Sequence, residues 1–170
     1  MNKFEKVSRA EYEKQIADFT PKNGFTNFLS YDELPTPRRG TKGSAGYDFF
    51  SPVSFKLQAG ETAKIPTGIK CKLDDCRVLL IFPRSSLGFK YRLQLDNTVG
   101  VVDSDYYGNP SNGGHIWIKI TNDSKIRDGK TLVVNRGDAF AQGIIMPYEL
   151  AEEEEVTTSR VGGIGSTSNN

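Results

Sequence analysis

The sequence contains little of the chemistry on which many enzymes rely. Among its 170 residues there is one histidine, His115, and there are two cysteines, Cys71 and Cys76. A serine–histidine–aspartate triad needs a partnered histidine, and a zinc site or a secreted disulfide framework needs more ligands at recognisable spacings. We therefore expect two reduced thiols and a structural role for His115.

Long apolar runs and an excess of charge of one sign are also missing. No apolar run approaches the roughly 20 residues of a membrane-spanning helix, and residues 1 to 15 are charged and polar where a signal peptide is apolar. We expect a cytoplasmic protein with no membrane partner. The 22 basic and 21 acidic residues give a net charge of +1, which supplies no basic field for a nucleic acid. Any bound polyanion must be small and held by a few placed groups.

One helix is predicted near the N terminus, over residues 8 to 19. Ser8 and Glu11 stand at the spacing of a capping box, and Tyr12 and Ile16 fall on one helical face. Beyond this segment the period of the apolar residues changes to two, which indicates β-strands.

Most of the remaining chain consists of short apolar or alternating segments that Gly, Pro and Asn separate. Many short strands with a single clear helix favour an all-β sandwich, barrel or jelly roll. The predicted strands lie at residues 53 to 57, 63 to 73, 78 to 82, 116 to 120, 131 to 134 and 139 to 148.

The segment PRSSLG, residues 83 to 88, follows one of these strands directly. Arg84 offers a charged bidentate fork, while Ser85 and Ser86 offer hydroxyls and consecutive backbone N–H groups, a combination that suits phosphate oxygens. Taken alone, the segment is better explained as an ordinary strand-to-turn junction with a surface arginine. A second segment, NTVGVVDSDYYGNP at residues 97 to 110, has the Asp, Asn, Gly and Pro of a hairpin end.

The end of the chain differs in composition from the rest. An acidic and hydroxyl-rich linker, ELAEEEEVTTSR, leads into VGGIGSTSNN, which has almost nothing to bury. Such a tail is typical of a disordered terminus or of an arm that becomes ordered on binding. Its glycines and hydroxyls could bring the backbone close to an anion.

Five segments, taken in chain order, closely resemble the five ordered motifs of the trimeric dUTP pyrophosphatases, the dUTPases. They span residues 45 to 168, and residues 1 to 33 lie outside them. The segments are AGYDFFSP (45 to 52), PRSSLG (83 to 88), NTVGVVDSDYYG (97 to 108), RGDAFAQGIIMP (136 to 147) and RVGGIGSTS (160 to 168).

The resemblance implies an all-β jelly-roll subunit with a short N-terminal helix and an extended C-terminal arm. It implies hydrolysis of dUTP to dUMP and pyrophosphate with Mg²⁺, in a homotrimer whose active sites lie at subunit interfaces. The chain would then comprise an N-terminal helical extension (1 to 33), a jelly-roll core (34 to 150), and an acidic linker with a glycine-rich arm (151 to 170).

The resemblance also implies roles for residues at the matching positions. Asp103 would be the general base that activates water for attack at the α-phosphorus, and Asp48 would support the metal and its water shell, with no direct protein ligand to the metal. Asp105 would mainly shape the turn. The residues expected to bind substrate are Arg84, Ser85, Ser86 and Gln142 at the phosphates, Asn97, Val101, Val102 and Trp117 at the base, Tyr106 beneath the sugar, and Arg160, Ile164, Gly165, Ser166 and Thr167 in the arm.

The sequence departs from the family pattern at four places, one of which is an arm motif around Arg160 that is shorter than usual. Ile164 stands where an aromatic residue usually covers the uracil, and Ala139 replaces an arginine that is common in the fourth motif. Residues 109 to 114 are an apparent insertion that lengthens the predicted hairpin.

Two other functions are compatible with the same fold. A dCTP deaminase shares an Arg-Ser-Ser segment but needs a catalytic glutamate on the return strand, and HIWIKITN, residues 115 to 122, contains none. A non-catalytic nucleotide-binding trimeric regulator would be expected to lack the base, whereas Asp103 is present.

Overall fold

The computed structural model describes residues 1–19, 27–126 and 128–152. Two α-helices and twelve β-strands lie in these ranges, which confirms the predicted all-β class with a short N-terminal helix. In chain order the elements are β1 (Lys3–Lys6), α1 (Arg9–Asp18), β2 (Arg38–Arg39), β3 (Tyr47–Phe50), β4 (Phe55–Leu57), β5 (Thr62–Pro66), β6 (Ile69–Lys72), β7 (Arg77–Pro83), α2 (Ser85–Tyr91), β8 (Leu93–Leu95), β9 (Gly100–Val102), β10 (Trp117–Asn122), β11 (Leu132–Val134) and β12 (Ala139–Pro147).

The strands form a jelly-roll sandwich of antiparallel sheets. A five-stranded sheet has the order β2-β3-β12-β7-β9, and a three-stranded sheet has the order β5-β10-β8. Two-stranded pairs, β11 with β4 and β1 with β6, complete the described sheets. Phe49 and Ile81 from the larger sheet share one apolar core with Ile65, Ile118 and Ile120 from the smaller sheet, so the buried faces of the two sheets meet.

The alternation of apolar residues locates most of the strands correctly. In β10, Ile118 and Ile120 are buried and Lys119 between them is exposed, as a strand with one buried face requires. The strand predicted at residues 63 to 73 is in fact two strands, β5 and β6. Gly68 interrupts it with a φ of +73°, a backbone conformation that glycine adopts without steric cost.

The predicted N-terminal helix is present as α1. Its N-cap Ser8 accepts a hydrogen bond on Oγ from the Glu11 backbone N–H at 3.1 Å, which satisfies one of the donors left free at a helix start. Tyr12 is fully buried against Val7 and Leu34 in a small second cluster. The helix therefore packs on the sandwich through its aromatic face.

Strand β1 precedes this helix and has no counterpart in the sequence predictions. It pairs with β6 over four residues, and the Phe4 ring lies 5.7 Å from the Phe49 ring in an edge-on arrangement. The segment KFEK has one apolar residue, so no alternation marks it as a strand. Residues 3 to 6 nevertheless belong to the packed body of the protein.

The chain between β9 and β10 differs from the hairpin that its turn residues predict. Strand β9 pairs with β7 in the five-stranded sheet, whereas β10 pairs with β5 and β8 in the other sheet. Residues 103 to 116 therefore cross from one sheet to the other. The Asp, Asn and Gly residues serve this crossing, with Gly113 and Gly114 at φ values of +65° and +85°.

Gly68 is the position at which a side chain should cost most. A Cβ there would lie 2.7 Å from Leu34 Cδ1 and 3.2 Å from Tyr12 Cδ2, and the positive φ adds backbone strain. We expect Gly68→Ala to lower the free energy of unfolding by about 2 to 4 kcal/mol, the sum of strain and overpacking. Urea denaturation measures this loss.

Gly137→Ala is the matched control for this substitution. Gly137 also has a positive φ, +84°, but a Cβ there meets nothing within 4 Å. We expect it to cost only the strain, about 1 to 2 kcal/mol. Equal losses for the two variants would contradict the close packing of α1 and Leu34 around Gly68.

Candidate active site

Three of the matching segments meet at one end of the five-stranded sheet. Strand β12 lies between β3 and β7, and its Gln142 stands opposite Asp48 on one side and Phe82 on the other. The Arg84 Nε lies 3.2 Å from the Asp48 Oδ1, and the Gln142 Nε2 donates to the Pro83 carbonyl at 3.1 Å. The sheet register therefore places the carboxylate, guanidinium and amide groups side by side.

The PRSSLG segment forms the junction between β7 and α2. Arg84 is the N-cap residue of α2, and its carbonyl accepts from the N–H groups of Leu87 and Gly88. Ser85 and Ser86 are exposed. A groove of about 390 Å³ opens beside Arg84 and Ser85, and Phe89 lies at its edge. The hydroxyls and the guanidinium are thus available to a ligand from outside the sheet.

Asp103 lies at the other end of the same sheet, immediately after β9. It is half-buried, and its carbonyl accepts from the Tyr106 N–H at 3.2 Å to begin a single 3-10 turn. An open groove of about 670 Å³ lies in front of Asp103, Ser104 and Asp105, with Val101 on its apolar side. The carboxylate therefore borders solvent and an apolar surface together.

Asp103 and Arg84 are far apart within one chain. Val102 stands opposite Leu79 in the antiparallel pair of β7 and β9, so Asp103 lies near the start of β7 while Arg84 follows its end. Arg84 lies six residues beyond the β7 residue that stands beside Asp103. In extended chain this separation is roughly 20 Å. Within one chain, the candidate base and the candidate phosphate-binding group therefore lie at opposite ends of β7.

The residues expected to contact the base occupy different places. Asn97 is exposed in the turn before β9, where its carbonyl accepts from the Val99 N–H at 2.7 Å. On β9 the Val101 side chain faces outward, 58% exposed, and Val102 faces the core. Trp117 begins β10 in the other sheet, opposite Pro66. The structure thus separates Trp117 by sheet from the rest of this group.

Tyr106, which the resemblance places beneath the sugar, lies in the core. It is 3% exposed, and its hydroxyl donates to the His115 carbonyl at 2.9 Å and accepts from the Asn112 Nδ2 at 2.8 Å. A sugar could rest only on the small part of the ring that remains exposed. Its contact with substrate stays a prediction. The arm residues Arg160, Ile164, Gly165, Ser166 and Thr167 lie outside the described residues.

His115 is fully buried and bonded to the backbone. Its Nε2 accepts from the Gly68 N–H at 2.8 Å, so the proton of the neutral ring is on Nδ1, which lies 3.5 Å from a Glu11 carboxylate oxygen. Burial lowers the pKa of His115 to about 4. These contacts agree with the structural role expected from the sequence.

Comparison with known proteins connects this geometry to a family. The family model for dUTPase matches residues 32–168. The chain belongs to the dUTPase family. It is 38% identical over 133 residues to the deoxyuridine 5'-triphosphate nucleotidohydrolase of Lactococcus lactis, a match that covers 77% of this chain and 86% of that protein.

Other family members give the same result. The deoxyuridine 5'-triphosphate nucleotidohydrolase of Hahella chejuensis is 34% identical over 146 residues, covering 80% of this chain and 88% of that protein. The crystal structure of dUTPase from Streptococcus mutans superimposes with a TM-score of 0.65 at 34% identity, covering 88% of this chain and 98% of that one. The jelly-roll fold of the family is therefore the fold of this chain.

Neither described helix is long and apolar enough to span a bilayer. Within residues 1–19, 27–126 and 128–152, no three His, Cys, Asp or Glu side chains come together as a metal site. Both cysteines are free, with Cys71 buried and Cys76 exposed.

The buried His115 should make stability depend on pH. The pKa of His115 falls from 6.5 to about 4 on folding. Between pH 6.5 and pH 4, His115 therefore binds a proton in the unfolded chain but stays neutral in the folded chain. The free energy of unfolding should therefore decrease as pH falls from about 6.5 towards 4, with a loss of about 2 kcal/mol at about pH 5.

His115→Gln isolates this contribution, because the Gln carbonyl can still accept from the Gly68 N–H but does not titrate. Urea midpoints near pH 7 and pH 5 measure the effect. The wild-type protein should lose about 2 kcal/mol more than the variant over this range, since carboxylate titration is common to both. Equal losses would show that His115 is protonated in the folded chain.

Proposed function

We propose that this chain hydrolyses dUTP to dUMP and pyrophosphate as a homotrimer, with each active site shared between subunits. One observation carries the proposal: Asp103 lies near the start of β7 and the Arg84, Asp48 and Gln142 group lies at its end, on one sheet. Asp103 of one subunit meets the phosphate-binding group of the next. The family match supports the substrate and reaction.

The outer face of the five-stranded sheet supports contact between copies. An antiparallel sheet that faces water normally carries polar residues on that face. Here the outward positions between Asp103 and Gln142 are apolar, and they stand side by side in the ladders. These residues are Val78, Leu80, Val101, Ile144 and Met146. A second copy covers this face. Asp103 at one end of the face in one copy then meets the phosphate-binding group at the other end of the face in the next copy.

The group at the end of β7 binds the triphosphate. Arg84 supplies a bidentate positive charge, and the Ser85 and Ser86 hydroxyls donate to phosphate oxygens. The Asp48 carboxylate holds the Arg84 guanidinium at 3.2 Å, which orients its remaining N–H groups. Gln142 donates to the Pro83 carbonyl, so its amide oxygen is left to accept from water or another donor at the phosphates.

Asp103 acts as the general base. Its carboxylate accepts a proton from a water molecule as the water oxygen forms a bond to the α-phosphorus. The bond from the α-phosphorus to the bridging oxygen breaks, and its electron pair leaves with pyrophosphate. General base assistance of this kind typically contributes roughly a hundred- to ten-thousandfold in rate.

The donor set fits a Mg²⁺ ion that the triphosphate carries. Asp48 is 22% exposed beside Arg84, so its carboxylate can accept hydrogen bonds from metal-bound waters, and Mg²⁺ usually keeps several waters. When bound, the ion supplies charge neutralisation on the phosphates. Asp48 is the residue of this chain that would hold the waters bound to such an ion.

The remaining residues select and enclose the nucleotide. Asn97 and the backbone at Val101 and Val102 read the uracil edge, whereas Trp117 lies in the other sheet. Tyr106 excludes a 2'-hydroxyl. A fitted site of this kind rejects a wrong base most strongly when its buried polar groups would be left unpaired. From a third subunit, Arg160, Ser166 and Thr167 bind the γ-phosphate, while Ile164 and Gly165 cover the base.

Two alternatives are less well supported. A dCTP deaminase needs a glutamate on the return strand, and β10, WIKITN, has none. A non-catalytic regulator would bind nucleotide without turnover. Incubation with Mg²⁺ and dUTP, dCTP, dTTP or UTP separates the three, because pyrophosphate release from dUTP alone supports the proposed enzyme and either other outcome contradicts it.

Asp103→Asn should abolish nearly all turnover, by roughly a hundredfold or more, because an amide cannot accept the water proton. Nucleotide affinity should be retained, since the phosphate-binding group is untouched. Steady-state kinetics and calorimetry with a non-hydrolysable dUTP analogue measure the two effects.

Asp105→Asn is the matched control, because Asp105 lies two residues away in the same 3-10 turn. Its kcat should stay within about threefold of wild type. An active Asp103→Asn variant, or an equal loss in both variants, would remove Asp103 from the role of base.

A further inference from the structure

Strand β1 contacts the chain segment that carries Asp103. The Tyr107 hydroxyl donates a hydrogen bond to the Glu5 carboxylate. Tyr107 lies in the crossing between β9 and β10, four residues beyond Asp103, and Glu5 lies in β1. The family match begins only at residue 32, so this contact joins the catalytic segment to a part of the chain outside the matched region.

The Glu5 carboxylate is itself held in place. Lys3 Nζ lies 2.8 Å from the Glu5 Oε1, and Lys70 stands opposite Glu5 in the ladder of β1 with β6. The Lys70 Nζ lies 4.6 Å from the centroid of the Tyr107 ring. The hydrogen bonds from Lys3 and Tyr107, with a smaller contribution from the nearby lysine charges, lower the pKa of Glu5, so the acceptor is an anion at neutral pH and the hydrogen bond is charge-assisted.

Strand β1 is a fixed support for this contact. Besides its ladder with β6, the Asn2 side chain accepts from the Asp74 N–H at 2.9 Å, and Lys6 Nζ donates to the Tyr31 carbonyl at 2.8 Å. The Phe4 ring packs against Phe49 in the core. Movement of Glu5 would therefore require movement of the body of the protein.

From Tyr107 the connection to Asp103 is short. The Tyr107 N–H bonds to the Ser104 carbonyl and the Tyr106 N–H bonds to the Asp103 carbonyl, at 3.4 and 3.2 Å. The two bonds form the 3-10 turn that follows Asp103. Fixing the Tyr107 side chain thus fixes the turn whose first carbonyl belongs to the candidate base.

The apparent insertion at residues 109 to 114 supports the same turn from its other side. Asn109 is buried, its N–H bonds to the Tyr106 carbonyl at 3.2 Å, and its side chain accepts from the N–H and hydroxyl of Ser111. The Asn112 amide donates to the Tyr106 hydroxyl. These bonds join residues within the crossing, residues 103 to 116. The hydrogen bond from Tyr107 to Glu5 connects the crossing to β1.

We propose that Glu5 and Tyr107 are positioning residues for the reaction. The hydrogen bond between Tyr107 and Glu5 in β1 holds the Asp103 carboxylate where it can accept the water proton. The proposal rests on the proposed function, in which Asp103 is the base. Loss of the bond leaves the phosphate-binding group unchanged, since Arg84, Asp48 and Gln142 lie at the other end of the sheet. The effect should therefore fall on kcat and spare KM.

Tyr107→Phe tests this directly, because it removes the hydroxyl and keeps the ring beside Lys70. We expect kcat for dUTP to fall about tenfold with KM changed less than about twofold. Glu5→Ala should give the same loss, and the double variant should lose no more than either single variant, since one bond is removed in all three. Glu5→Gln, which keeps an acceptor, should recover most of kcat.

Tyr31→Phe is the matched control. The Tyr31 hydroxyl donates to the Val7 carbonyl at 2.8 Å, so its loss also removes a tyrosine hydrogen bond that ties the N-terminal segment to the body, without touching residues 103 to 116. Its stability should fall about as much as that of Tyr107→Phe, with kcat unchanged. Equal falls in kcat for the two variants would show a general loss of structure and overturn the positioning role.

Hydrogen exchange separates this proposal from the proposed function. Tyr107→Phe should speed exchange of the Tyr106, Tyr107 and Asn109 amides, whether or not the protein turns over dUTP. Unchanged exchange, or faster exchange with wild-type kcat, overturns the positioning role. A wild-type protein without dUTP turnover overturns the proposed function instead, and the two failures are distinct because exchange needs no substrate.

Discussion

The antiparallel pairing of β12 with β3 and β7 is the constraint on which the candidate site depends. It sets Gln142 opposite Asp48 on one side and opposite Phe82 on the other, and Arg84 then follows β7 within reach of Asp48. A slip of one residue would turn each of these side chains to the opposite face of the sheet. The packing of Phe49 and Ile81 in the core opposes such a slip, so the hydrophobic core also fixes the register of the phosphate-binding group.

The same sheet is the basis for the proposal that each active site is shared between copies of the chain. Its outer face carries functional groups at both ends and apolar residues between them. In the proposed assembly, the second copy that covers the apolar residues also completes the site. In the proposed homotrimer, catalysis requires association, because Asp103 of one copy would meet the phosphate-binding group of another. Strand β1 contacts the segment after Asp103 from within the chain, since the Tyr107 hydroxyl donates to the Glu5 carboxylate.

Much of the fold could be predicted from local patterns, because they record which side of a strand is buried. The alternation in β10 is such a pattern, and the spacing of Ser8 and Glu11 marks the start of α1 in the same local way. Strand β1 has one apolar residue and could not be found, and the crossing after Asp103 looked like a hairpin because turn residues do not reveal which strand pairs with which. Motif resemblance indicated the site residues. It did not indicate at which end of β7 each residue lies, because that depends on the pairing of β7 with strands distant in sequence.

In the proposed homotrimer, Asp103 and Arg84 of one chain serve different active sites. Asp103→Asn and Arg84→Ala, each inactive alone, are mixed in equal amounts, unfolded, refolded together and assayed with dUTP, with refolded wild-type protein as the reference. Random assortment gives a site with both intact residues in about one quarter of cases, so the mixture should regain about a quarter of the wild-type rate. A mixture as inactive as either variant alone would contradict the account, because each site would then draw both residues from a single chain.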